Sequence, residues 1–84
     1  MDLEFSQEFR DSYRRLTRTE RNQVQRALAF LRENPRHPGL RAGKFANTNT
    51  WYARASRDLR IFYEIYEDYY LVIDVGHHDI ERTF

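Results

Sequence analysis

The hydrophobic pattern changes period twice along the chain. At the start, Leu3 and Phe5 alternate with Asp2 and Glu4, the spacing of a short strand with one buried face. Ser6 is then placed to cap a helix in which Phe9, Tyr13 and Leu16 recur at i, i+4 and i+7. Thr17 followed three residues later by Glu20 is a capping box, and Val24, Ala27, Leu28 and Leu31 form the apolar stripe of a second helix that Asn34 and Pro35 end. The two helices are joined by almost no loop, so they form a helical hairpin with Arg14, Arg15, Arg18, Arg21 and Arg26 largely off the apolar stripes. Residues 35–50, PRHPGLRAGKFANTNT, hold both prolines and two of the three glycines, which predicts an ordered loop or a poor strand.

From Trp51 onward the period is two, and strands are expected over 51–55, 59–66 and 70–76. Residues directly opposed in an antiparallel pair share a face, so the best register matches apolar with apolar. Trp51 with Tyr63, Ala53 with Ile61 and Ala55 with Leu59 leave a turn at Ser56, Arg57 and Asp58. Ile65 with Leu71, Tyr63 with Ile73 and Ile61 with Val75 leave a turn at Glu67, Asp68 and Tyr69. The apolar face so formed packs on the helices, with Trp51, Tyr63 and Ile73 in the core. The expected architecture is α+β: an N-terminal strand, a helical hairpin and a three-stranded antiparallel meander, all in one domain over residues 1–84.

The second face follows by elimination: Tyr52, Arg54, Arg60, Phe62, Glu64, Tyr66, Tyr70, Val72 and Asp74. On it Arg54 falls opposite Arg60, and Arg60 opposite Gly76, which would bring His77 and His78 to the edge of the same surface. Two facing arginines repel, a cost that an anion between them would relieve. Charge along the chain agrees. Residues 36–60 carry Arg36, Arg41, Lys44, Arg54, Arg57 and Arg60 against Asp58 alone, a local balance of +5, whereas the whole chain is only +1. Thirteen of the fourteen cations are arginine, whose planar fork suits phosphate. Glu64, Glu67, Asp68 and Asp74 read as a solvated strand face, although a carboxylate there can also serve as a general base.

Composition narrows the chemistry further. With 84 residues there is room for one modest core and none for a second catalytic lobe. Thirteen aromatic residues give that core bulk, and the absence of cysteine excludes a disulfide framework, thiol catalysis and cysteine-bound zinc. His77, His78 and Asp79 are metal-ligand types without the spacing of a zinc motif, so neither metal nor cofactor is expected. The start MDLEFSQEF lacks the basic and apolar regions of a secretion signal, and no apolar run approaches the ~18 residues of a membrane span; a cytoplasmic protein without membrane contact is expected.

Cations for phosphate, rings for base stacking and imidazoles for proton transfer are the ingredients of an RNA site. Cleavage without metal requires the 2′-hydroxyl to be deprotonated, the phosphorane charge to be stabilised and the leaving 5′-oxygen to be protonated. His78 is the first candidate for proton transfer, with His77 beside it, and Arg60 and Arg54 are the candidates for the phosphate. Tyr52, Arg57 at the first turn and Phe84 in the tail are candidate RNA contacts. A surface histidine pair is also compatible with a plain surface or with a tail that holds a partner.

The order strand, helical hairpin, basic loop, meander, with WYARASRDLRIFYEI leading into YYLVIDVGHHD, resembles the RelE/ParE superfamily of bacterial type II toxin–antitoxin toxins over nearly the whole chain. Arg60, Ile61, Phe62 and Tyr63 on the central strand, and the turn after Asp74, Val75 and Gly76, carry the likeness. The resemblance implies a compact microbial-RNase-like fold, cleavage of mRNA in the A site of the 70S ribosome, and neutralisation by a cognate antitoxin. It equates Arg60 with a phosphate-contacting arginine, Arg54 with a basic residue of the preceding strand and Lys44 with a basic loop residue. His78 falls where YafQ- and YoeB-like members have a histidine. Phe84 lies near the position of a catalytic tyrosine in RelE itself, a departure that removes a hydroxyl and shifts proton transfer towards His78. A ParE-like branch of the superfamily poisons DNA gyrase instead, and a folded module that only binds antitoxin or nucleic acid is the third reading.

Overall fold

The computed structural model describes residues 2–77. Strand β1 (Asp2–Phe5) leads into helices α1 (Gln7–Arg14) and α2 (Arg18–Glu33), a 3-10 turn (Pro38–Leu40), a two-residue strand β2 (Gly43–Lys44), and strands β3 (Thr50–Arg54), β4 (Leu59–Ile65) and β5 (Tyr69–His77). The fold is α+β. All five strands form one sheet in the order β1-β5-β4-β3-β2, so the expected meander is flanked by two further strands. β1 joins it parallel to β5, and β2, inside the segment read as a loop or poor strand, pairs antiparallel with β3.

The helices begin where local chemistry dictates. The Ser6 hydroxyl accepts from the Phe9 N–H at 3.1 Å. In the capping box, Glu20 N–H donates to Thr17 Oγ1 at 3.1 Å and Thr17 N–H donates to Glu20 Oε1 at 2.9 Å, satisfying two amides that have no partner inside the helix. The stripe of Val24, Ala27, Leu28 and Leu31 is buried as its period requires. It packs with Phe9 and Leu40 on Ala53, Ala55, Leu59, Ile61, Tyr63, Tyr70, Val72 and Val75 from the sheet. Leu40 is lodged there by a turn in which His37 stacks on Phe30, with ring centroids 4.0 Å apart, and accepts the Gly39 N–H at Nδ1.

The pairing of β3 with β4 has the expected register: Trp51 with Tyr63, Ala53 with Ile61 and Arg54 with Arg60. Between β4 and β5, Arg60 meets Gly76 and Ile61 meets Val75, also as expected, but beyond Phe62 and Asp74 a β-bulge intervenes. Tyr63 then pairs with Val72 and Ile65 with Tyr70, in place of Ile73 and Leu71. One extra residue on a strand exchanges its faces from that point on. Tyr70 and Val72, expected on the second face, therefore enter the core, and Ile73, expected in it, is outside the buried cluster. The hairpin turn is correspondingly shorter, closed by Tyr66 N–H donating to the Tyr69 carbonyl across Glu67 and Asp68.

Candidate functional site

The sheet face away from the helices carries Tyr52, Arg54, Arg60 and Phe62, each opposite another member of the group: Tyr52 with Phe62 and Arg54 with Arg60. Arg60 is only 8% exposed. Its Nη1 donates to the carbonyls of Arg57 at 2.9 Å and Ser56 at 3.4 Å, which ties the guanidinium to the β3–β4 turn and fixes its position before any ligand arrives. Arg54 is half-buried, and its Nε is buried with no hydrogen-bond partner among the described residues. A buried donor without an acceptor is costly, and a second arginine directly opposite adds repulsion. An anion bound between them would relieve both.

A small aromatic cluster borders the pair. Phe45 packs on Tyr52 and on Phe62 with ring centroids 5.2 and 5.9 Å apart, and Phe62 is fully buried under this second face. The Tyr52 ring lies against Gly43, where a Cβ would stand 2.5 Å from the phenol oxygen, so glycine is what lets the ring lie flat on the edge strand. Phe62 is too enclosed to stack on a base; Tyr52, half-buried, offers that surface.

The remaining candidates are dispersed. His77 pairs with Leu59, a core-facing residue, so its ring emerges on the helical side and Nε2 donates to Glu20 Oε2 at 2.8 Å. That corrects its expected position beside the arginines, and the signal was present in the alternation: one residue past Gly76 the strand shows its other face. Lys44 is exposed and opposite Trp51, which places it on the helical side at the outer edge of the sheet. Arg57 is exposed at the turn. His78 and Phe84 lie outside the described residues. Of the acids on the strands, Asp74 is engaged structurally: its Oδ1 accepts from Ser12 Oγ at 2.7 Å and from Val75 N–H at 2.8 Å. Glu64 accepts from the Tyr66 hydroxyl at 2.9 Å.

Among the described residues three ionisable groups are displaced from their ordinary values, the Tyr66 phenol being raised chiefly by its hydrogen bond to Glu64. The Thr17 N–H, outweighing partial burial, and then His77 hold the Glu20 carboxyl low. Burial, followed by the neighbouring Tyr70, pushes the Tyr63 phenol up to about 12, so Tyr63 stays protonated at neutral pH and is a packing residue.

The model of the ParE toxin of the type II toxin–antitoxin system parDE matches residues 3–81. The chain belongs to this family. Solved structures of such toxins have the same fold. YafQ from Escherichia coli strain BL21(DE3) superposes with a TM-score of 0.77 at 14% identity, covering 95% of this chain and 96% of that one. A YoeB/ParE toxin from Agrobacterium tumefaciens gives 0.76 at 16% identity, with coverage of 93% and 99%. The intact RelBE toxin–antitoxin complex of E. coli gives 0.72 at 24% identity, with coverage of 90% and 94%. At these identities the likeness is one of fold. No curated protein matches the sequence. The chain is thus a RelE/ParE-superfamily toxin of a type II system; the E. coli structures similar to it include two toxin–antitoxin complexes, DinJ–YafQ and RelBE. Among the described residues no helix is long and apolar enough to cross a membrane.

Proposed function

We propose that this toxin is an endoribonuclease that cuts mRNA on the 70S ribosome, in the cytoplasm, by metal-free attack of the ribose 2′-oxygen on the adjacent phosphorus. The observation that carries the reading is the arginine pair: Arg54 directly opposite Arg60, Arg60 held by turn carbonyls and Arg54 with a buried Nε that has no partner among the described residues. Such preorganised donors stabilise charge that develops in a transition state. In the reaction a base removes the 2′-hydroxyl proton, the 2′-oxygen bonds to phosphorus, and the 5′-oxygen departs with a proton from an acid. The products are a 2′,3′-cyclic phosphate and a 5′-hydroxyl. Arg54 and Arg60 carry the phosphorane charge, Tyr52 stacks on a base, and His78 transfers protons, a role that rests on the family resemblance. His77, on the other side of the sheet, is no part of this site, and neither is Lys44. Few groups here position the substrate, so the ribosome supplies the orientation of the mRNA.

Primer extension on a defined mRNA, with and without translating ribosomes, tests this. New ends that require ribosomes are expected, reduced about 10²–10³-fold in Arg54→Ala while its thermal melt remains cooperative. Intact mRNA with folded protein would overturn the reading.

A second reading has its own support, because the matching family model is that of ParE and the ParE-like branch inhibits DNA gyrase. Loss of gyrase supercoiling in the presence of a toxin that leaves mRNA intact would establish it.

A further inference from the structure

Beside the arginine pair the surface sinks into a pocket of about 370 Å³ whose lining includes Arg26 from α2, Arg41 after the 3-10 turn, Arg54 at the end of β3 and Arg57 in the β3–β4 turn, with Gly39 and Ser56 in its wall. Among the described residues, none that lines it is acidic. Elements far apart in sequence thus bring four like charges around one concavity, an arrangement that opposes folding unless an anion is bound. Two further features mark it. Arg54 Nε is buried without a partner among the described residues. Arg41 has φ 45° and ψ 47°, the left-handed region that a residue with a side chain rarely occupies and that is often retained at binding sites.

We propose that this pocket binds a backbone phosphate of single-stranded RNA, next to the one held between Arg54 and Arg60. The inference rests on the ribonuclease reading for its ligand: Arg54 belongs to both places, so a strand lying across the arginine pair continues into the pocket. Arginine forks contact phosphate oxygens in pairs, and the site reads backbone and not base, since cations dominate its lining. Arg26 and Arg41 are positioning contacts, remote from the proton-transfer chemistry.

The test is fluorescence anisotropy of a labelled 2′-O-methyl oligoribonucleotide, which has no free 2′-hydroxyl and cannot be cut, titrated with full-length protein over a range of salt. Arg26→Gln and Arg41→Gln are each expected to weaken binding roughly three- to tenfold at low salt and to reduce the slope of log K against log[salt] by about 0.7. Arg18→Gln removes the same charge from the start of α2, outside the pocket, and is expected to change both far less. Thermal melts establish that each variant is folded. The proposal is overturned if Arg18→Gln weakens binding as much as Arg26→Gln, which would leave only overall charge. It is also overturned if the pocket variants bind the oligonucleotide like wild type, including the case in which they lose only an acidic peptide. Cleavage plays no part in this readout, so failure of the ribonuclease reading and failure of the pocket are told apart.

Discussion

The hydroxyl of Ser6 donates to the carbonyl of Ile73 at 2.7 Å. The same oxygen accepts from Phe9 N–H at the start of α1, and the Ser6 amide donates to the Val72 carbonyl at 3.0 Å. One residue therefore caps a helix and pins the bulged segment of β5, 67 positions away. Ser6→Ala removes the cap, worth about 1 kcal/mol, and strands the Ile73 carbonyl, worth roughly another 1 kcal/mol. For a domain of this size, a drop in melting temperature on the order of 10 °C is expected. Calorimetry checks it, and hydrogen exchange should show the Phe9 amide losing protection first.

Glu20 joins the α2 capping box to the end of β5 through His77. Because its carboxyl is held low, chiefly by the Thr17 N–H, the folded state is favoured by its ionised form. That contribution is complete above the ordinary glutamate range and lost as the pH falls through the depressed folded value. The stability difference between wild type and Glu20→Gln is expected to be largest near neutral pH and to shrink on acidification. Urea titrations over that range would show a constant difference if the pairing were idle.

Tyr63 gives the opposite sign. Its phenol moves from 10.0 to about 12 on folding, so the folded state keeps a proton that the unfolded chain gives up. Stability is unaffected below pH 10 and falls by about 3 kcal/mol between pH 10 and pH 12. Tyr63→Phe should flatten that alkaline loss, and ultraviolet difference titration should find one tyrosine ionising with unfolding.

Gly43 and Tyr52 test the stacking surface. A methyl group at 43 would stand 2.7 Å from Tyr52 Cζ, so Gly43→Ala must displace the ring. Because the obstacle is the end of a mobile side chain, the stability change should stay within about 1 kcal/mol, below the usual cost of overpacking a core. Binding of a short single-stranded RNA should nevertheless weaken in both Gly43→Ala and Tyr52→Ala, by the roughly 1–3 kcal/mol that one stacked base is worth. Unchanged affinity in Tyr52→Ala would remove the residue from the interface.

Asp74 separates a structural from a chemical role. With its carboxylate engaged by Ser12 and the Val75 amide, Asp74→Asn and Ser12→Ala should each cost about 1–2 kcal/mol in a chemical melt. Under the ribonuclease reading neither should abolish cleavage, as loss of a general base would.

By itself the sequence determined what local chemistry controls. Ser6 and the Thr17–Glu20 box start the helices, because a short oxygen-bearing side chain beside free amides has few other uses. Val24, Ala27, Leu28 and Leu31 mark the buried stripe. Arg54 is brought opposite Arg60 because Ala53 and Ile61 leave one good register across a short turn. The second hairpin was not determined in this way. Tyr70, Leu71, Val72 and Ile73 are apolar on both faces of the strand, so two registers bury comparable surface and the pattern is silent between them. The choice fell to distant partners. β1, pairing Leu3 with Tyr70 and Phe5 with Val72, and Ser6, bonding to Val72 and Ile73, hold the bulge that turns Tyr70 and Val72 inward. In the same way only the tertiary structure gathered Arg26 and Arg41 beside Arg54 and Arg57. Spacing along a chain reports which face a residue shares with its neighbours, and which distant charges meet depends on how the elements pack.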